Sequence, residues 1–310
     1  MFIRPLSTGL LKRMIACKYL YLLMLPLLVY YIVFDYFPMY GIVLAFKEFN
    51  FAKGILRSDW IGLANFREIF ALDDFWVAFR NTVIISFGRL VFEFPVPIVV
   101  ALLINEVSRS GLKNFYQVVY TFPHFLSWVI VSGIMVNFLG AFGVLNQLLD
   151  MAGFHKVSLL VDPAHFRGLI YSSSLWKDMG WGTIIYLAAI AGINPTLYEA
   201  ARIDGANRFH QMVYVTWPAL RSTAVILLIL QIGRTMSSGG GGFDQIFNLY
   251  NPAVYEKADI LDTYIYRRTF AVGSSYGTST AIGLFKSVIN FALLYLANRA
   301  AKRLGQEGLY

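Results

Sequence analysis

Glu199-Ala200-Ala201-Arg202-Ile203-Asp204-Gly205, followed by Val215-Thr216-Trp217-Pro218, forms a polar, helix-forming insert between two apolar runs of membrane-crossing length. Pro195 suits the first position of a helix. Ala200 and Ala201 favour helix and leave room for a closely packed partner. Gly205 then turns the chain, a second short helix is predicted from Asn207 to Val215, and Pro218 marks entry to the next span. Two short helices at an angle, displaying Glu199, Arg202, Asp204 and Arg208, make a rigid knob that another protein can grip.

The rest of the composition says what the knob projects from. Of 310 residues, 57% are hydrophobic and only 14% charged, and the mean hydropathy is +0.58. Such a chain cannot hide its apolar surface in water, so it is read as an all-α integral membrane protein. A bilayer core of about 30 Å takes roughly 20 apolar residues per helix. Six stretches qualify: Tyr19 to Tyr36, Ala78 to Ile104, Tyr116 to Leu139, Ile170 to Ile193, Leu220 to Met236 and Thr280 to Ala297. The second is long enough to bend, and Pro95 and Pro97 supply the place. The first follows Arg4, Lys12, Arg13 and Lys18 but has too long an apolar run and no small-residue cleavage site after it, so it is read as a retained helix, not a signal peptide. No long linker, charge block or repeat divides the chain, which is read as one membrane domain over 1–310.

Loop charges give the orientation. Segments 1–18, 105–116, 195–221 and 298–310 carry 12 Lys/Arg against four acids, whereas 37–80, 140–169 and 237–279 carry 10 Lys/Arg against 11 acids over a greater length. The denser basic side is the cytoplasm, which puts both termini and the Glu199 knob inside a multi-pass cell membrane protein. Topology thereby accounts for the pI of about 9.4, and a nucleic-acid partner is not expected. Cys17 is the sole cysteine, and His124, His155, His165 and His210 show no metal-binding spacing, so neither a disulfide nor a metal site is expected.

Polar residues inside spans are expensive and tend to face the bundle interior or water. Trp176, Lys177, Asp178, Trp181, Gln231, Arg234, Lys286, Asn290, Arg89 and Glu93 are therefore candidates for a pathway. Arg89 and Glu93 share a helix face and can pair, as a structural ion bridge or as a substrate contact. Lys177 and Asp178 lie near the outer end of the fourth span, where snorkelling toward water is the default. Trp176, Trp181 and Phe243, with Asp244 nearby, are of the kind that stacks on sugar rings while polar neighbours bind hydroxyls; an aromatic belt is the other explanation for most Trp and Tyr. Gly239-Gly240-Gly241-Gly242 reads either as a flexible exit from the fifth span or as close backbone packing beside a gate.

With its spacing, the knob resembles the signature of the membrane subunits of binding-protein-dependent ABC importers: Glu-Ala-Ala, three residues, Gly, nine residues, Ile-x-Leu-Pro. Here Glu199-Ala200-Ala201, Gly205 and Pro218 match, with Val215 and Trp217 as apolar replacements. Further stretches, Tyr36-Phe37-Pro38-Met39-Tyr40-Gly41, Ile61-Gly62-Leu63-Ala64-Asn65-Phe66, Phe243 to Pro252, Asp259 to Arg267 and Ala281 to Ser287, resemble the maltose-permease-like carbohydrate permeases, especially the polysaccharide and complex-oligosaccharide subgroup. The resemblance implies a type I ABC importer permease fold of about six transmembrane helices with a cytoplasmic coupling helix in a loop at about 195–219. It also implies a second homologous permease, two ATP-binding subunits, an extracytoplasmic solute-binding protein and an oligosaccharide substrate, acidic in some relatives. Glu199, Ala200, Ala201, Arg202, Asp204, Gly205 and Pro218 would then couple to an ATPase. No phosphate-binding G-x-x-x-x-G-K-[ST] loop is present, so ATP and Mg would be held by the partners and the chain itself is not expected to be an enzyme. Arg234, Arg267 and Arg268 would attract carboxylates, neutralise Asp259 and Asp262, or support a docked binding protein. Two other classes compete with this reading. A secondary transporter lacks evident inverted halves with matched broken helices, and a membrane transferase lacks a converging acid, base or metal cluster.

Overall fold

A computed structural model describes residues 17–236, 242–271, 275–305 and 308. Arg4, Lys12, Arg13 and Gly239 to Gly241 lie outside the described residues. The chain divides into two compact units, one within Met1–Arg67 plus Ser275–Ala281 and the other within Glu68–Ser274 plus Ile282–Tyr310.

In the first unit, helix α1 (Lys18–Tyr31) continues through a π-helical turn (Ile32–Tyr36) and a 3-10 stretch (Tyr40–Phe46). Every residue in 17–40 is exposed. A two-residue antiparallel pairing of β1 (Lys47–Glu48) with β2 (Asp59–Trp60) follows. Asn65 stitches it down by donating to the carbonyls of Ala45 at 2.9 Å and Lys47 at 3.1 Å.

The second unit holds the helix bundle. Helix α2 (Asp73–Glu93) passes at Pro95 into α3 (Pro95–Asn105), then come α4 (Ser110–Thr121), α5 (Trp128–Leu139) and the long α6 (Pro163–Ala191). After α6 the chain bends by 72° into α7 (Pro195–Ile203), then α8 (Arg208–Gln211) and α9 (Trp217–Arg234). Between α9 and the last span lie α10 (Phe243–Leu249) and α11 (Leu261–Tyr266). The last span, α12 (Tyr276–Arg303), begins in the first unit's sequence and continues in the second's. Among the described residues five helices are long and apolar enough to cross a membrane, or six if the bent pair counts as one.

The predicted third span, Tyr116 to Leu139, is not one helix. Pro123 sits in a 3-10 turn (Phe122–Phe125), and the chain restarts at Trp128 with the Ser127 hydroxyl accepting from the Ile130 amide at 3.3 Å. The membrane-length run there is Trp128–Met151. Proline has no amide to continue the ladder and its ring crowds the preceding turn, so the break follows from one residue. The start of α6 is also capped: Asp162 accepts from the Ala164 amide at 2.8 Å. The His165 ring and that amide hold the Asp162 carboxyl below the usual carboxylate range.

Lipid tails are as apolar as leucine, so helices in a bilayer associate through small residues and hydrogen bonds. Helix α6 shows both. A Cβ at Gly180 would overlap the Tyr120 carbonyl and come within 2.6 Å of the Thr121 amide nitrogen, so the backbone of α4 crosses α6 in direct contact there. Two residues on, a Cβ at Gly182 would sit 3.0 Å from the Pro97 ring. Thr183 returns its hydroxyl to the Met179 carbonyl at 2.7 Å and reaches the Pro97 carbonyl at 3.3 Å. Two buried clusters flank this crossing, one built around Ile85, Phe166, Ile170 and Ile246, the other around Ile98, Ala101, Tyr186 and Leu220.

Candidate functional site: a cavity and an exposed knob

The knob has the form its residues require. Asn194 accepts from the Thr196 amide at 3.0 Å with Pro195 in the first turn, which starts α7. Gly205 has φ of +82°, a left-handed conformation that costs glycine little. The Ala206 amide can then donate back to the Ala201 carbonyl at 2.8 Å, closing the helix end. Asn207 caps α8 through the His210 amide at 2.9 Å. Tyr198 and Thr216 share a hydroxyl hydrogen bond of 2.9 Å. Arg208 donates to the Glu106 carbonyl at 3.2 Å, bracing the knob against the turn that follows α3. The outer surface holds Glu199, Ala200, Arg202, Asp204 and Pro218, all exposed. It also holds apolar side chains that water disfavours: Ile203 is 87% exposed and Phe209 64%.

The second feature is a cavity of about 450 Å³ walled by α2, α3, α6 and α9. Trp181, Gln231 and Arg234, expected from sequence on a pathway, line it together with Glu93, Asp178 and Tyr186. Glu93 and Asp178 are pathway candidates from the sequence too, whereas Trp176, Phe243, Asp244 and Asn290 lie elsewhere. Trp176 lines a separate apolar recess with Val131, Met135 and Leu169. Phe243 stacks on Phe247 at 5.2 Å. Asp244 is exposed on α10. Asn290 donates to the Gly233 carbonyl at 2.5 Å and accepts from the Met236 amide at 3.3 Å, securing the end of α9.

Several charged residues turn out to bind their own protein. Lys177 does not snorkel: it is 6% exposed, donates to the His124 carbonyl at 2.8 Å and lies over the Trp128 ring. Arg89 pairs with Glu93 at 3.8 Å and donates to Gln245, which itself donates to the Ile170 carbonyl and the Ser173 hydroxyl, both at 2.8 Å. Arg267 pairs with Asp259, Lys286 with Asp262, and Arg268 with Glu68 at 3.7 Å. Arg267 thus neutralises Asp259 as one reading expected, whereas Arg268 meets Glu68 and Asp262 is met by Lys286 instead of an arginine.

Gly242 gives part of the glycine tract a definite role. Its φ is +80°, and a Cβ there would lie 2.6 Å from Arg89 Nη1. Gly242→Ala is expected to dislodge the guanidinium and lower stability by about 1–3 kcal/mol. Thermal unfolding of the purified complex measures this, and an unchanged melting temperature refutes it.

In the sequence His124 is weighed only as a metal ligand, for which its spacing is unsuited. The one signal for it was Pro123 beside it. The break carries His124 to α6, where its Nδ1 meets Asp178 Oδ1 at 2.8 Å and its ring stacks on Trp181 at 4.6 Å and 8°.

The family model described as binding-protein-dependent transport system inner membrane component matches residues 93–306, a stretch holding the knob and most of the cavity wall. The chain belongs to this family. As an inner membrane component it is a multi-pass transport subunit, not an enzyme. Similar transport components include the polygalacturonan/rhamnogalacturonan transport system permease protein YteP of Bacillus subtilis, 43% identical over 97% of this chain and 93% of that one. Protein LplB of the same organism is 42% identical over 94% of this chain and 91% of its own length. Among solved structures, a bacterial alginate ABC transporter in complex with an alginate pentasaccharide-bound periplasmic protein matches with a TM-score of 0.87 and 37% identity. That match covers 97% of this component and 99% of the other chain.

Proposed function

We propose that this chain is the permease subunit of an ATP-driven importer for an oligosaccharide, acidic in character, delivered by an extracytoplasmic solute-binding protein. The whole chain, 1–310, acts as one permease domain beside a second, homologous permease, with both termini in the cytoplasm. The observation that carries the reading is the cavity, which combines an indole, a phenol, an amide and charges of both signs between helices of one bundle. Apolar walls with a few polar groups suit a ligand that has C–H faces and hydroxyls. Arg234 supplies a cation for a carboxylate, in keeping with the acidic polysaccharides named for the relatives.

Energy enters at the knob. Glu199, Ala200, Ala201, Arg202, Asp204, Gly205 and Pro218 engage one of two partner ATPases, which hold ATP and Mg. Closure of the ATPases displaces the knob and switches the side to which the cavity opens. In proteoliposomes holding both permeases and both ATPases, the binding protein loaded with an oligogalacturonate is expected to raise ATP hydrolysis several-fold and drive uptake. Uptake that follows an ion gradient without ATP overturns the reading in favour of a secondary transporter.

A further inference from the structure

We infer that His124 is the residue that positions the sugar-contacting side chains of the cavity, although it lies outside the lining itself. This rests on the proposed saccharide pathway. Three of the contacts that join the turn Phe122–Phe125 to α6 run through this one residue. Its carbonyl accepts from Lys177 at 2.8 Å, its Nδ1 meets Asp178 Oδ1 at 2.8 Å, and its ring lies parallel to the Trp181 indole at 4.6 Å.

Asp178 and Trp181 both line the cavity, and His124 does not. The imidazole covers one face of the indole, while Phe125 meets it edge-on at 6.3 Å. Its other face is covered by neither ring, and Trp181 is 47% exposed. Held between these rings, it is a fixed plate, and a fixed plate stacks on a pyranose ring without first losing rotamer freedom. The Asp178 carboxylate is fixed by the same imidazole. With Nδ1–H donating to Oδ1, the second oxygen is left to accept a sugar hydroxyl beside the plate, and the tautomer is set by that bond.

A carboxylate accepts from hydroxyls and repels another carboxylate. The Trp181 end of the cavity is thus a hydroxyl-reading end. An acidic sugar lies with its carboxylate away from Asp178, toward α9 and its Arg234. The aromatic plate and the carboxylate are three residues apart on α6, so they share one helix face, and His124 is wedged against both.

The test uses the assembled importer in proteoliposomes, with a binding protein loaded with oligogalacturonate. ATP hydrolysis and saccharide accumulated are measured on the same vesicles for His124→Ala, His124→Phe and His124→Asn. His124→Ala is expected to keep stimulated ATP hydrolysis near the parental rate while saccharide moved per ATP falls by about tenfold, the loss of one ordered aromatic contact. His124→Phe, which keeps a flat ring behind Trp181, is expected to recover most of that ratio, and His124→Asn, which keeps only a donor for Asp178, much less. A parental ratio in His124→Ala overturns the positioning role alone. So does a parallel fall of hydrolysis and transport that His124→Phe does not relieve, since that describes a general fold defect. A parental complex that moves no saccharide overturns the pathway reading and this one together.

Discussion

Gly205→Pro is expected to reduce ATP hydrolysis of the assembled importer to its unstimulated rate, with the chain still inserted in the membrane. Gly205 sits at φ +82° and its amide donates to the Arg202 carbonyl at 3.0 Å. Proline fixes φ near −65° and has no amide, so both the turn and the bond are lost. The Ala206 amide then no longer reaches the Ala201 carbonyl, and α7 and α8 lose their fixed angle. The fault stays local, because no other heavy atom lies within 4 Å of a Cβ at this glycine. Gly205→Asn is the control: asparagine tolerates the left-handed region better than other side chains, so it should keep a substantial part of the stimulation. Glu199→Lys approaches the same surface through charge, since Glu199 is exposed and reversing it changes what a partner meets more than it changes the fold. Full stimulation in both Gly205→Pro and Glu199→Lys sinks the assignment of the knob to an ATPase.

The second large effect is expected at Gly180, and it falls on assembly instead of coupling. A Cβ at this position overlaps the Tyr120 carbonyl, and backbone cannot turn aside as a side chain can. Either α4 lifts off α6 or α6 shifts, and both motions disturb the turn that carries His124. Overpacking of this kind costs typically about 1–3 kcal/mol, and contact with rigid backbone puts Gly180→Val at or above the upper end. The expected result is little or no folded complex recovered from the membrane for Gly180→Val, and a reduced yield with a lower melting temperature for Gly180→Ala. Gly168→Ala, on the same helix with nothing near its Cβ, should behave as the parent. Parental yield and melting temperature for Gly180→Ala contradict the close crossing.

The contrast between these two glycines explains what was legible in the residues alone. The knob is a local structure: Pro195, Gly205 and Asn207 act within a few residues of themselves, so its first helix and turn could be drawn from spacing, whereas the second predicted helix, Asn207 to Val215, is no separate helix but runs from Arg208 through a π turn (Met212–Thr216) into α9. The spans were legible because a bilayer demands length and apolarity. The cavity was only partly legible, because lining depends on which faces of distant helices meet. Trp181, Gln231 and Arg234 come together, whereas Trp176, five residues from Trp181 on the same helix, points into a different recess. The place of Lys177 near the outer end of the fourth span points it to water, but it meets a carbonyl and an indole around a break that Pro123 creates. Asn290 looks like a pathway amide in the sequence and instead satisfies backbone groups at the end of α9.

The bracing of the knob also sets what a push on it does. Arg208 grips the turn after α3, and Tyr198 grips Thr216 at the root of α9. Pro97 on α3 and Gln231 and Arg234 on α9 stand on the walls of the same cavity. A load applied at α7 is thus split between two levers that flank one space. At 1.5 Å per residue, Arg234 lies about 25 Å along α9 from Trp217, so a tilt of about 10° at the root swings it by roughly 4 Å. A stroke of that size is comparable to the thickness of a pyranose ring, and leverage alone would supply it without any lining residue changing its own conformation.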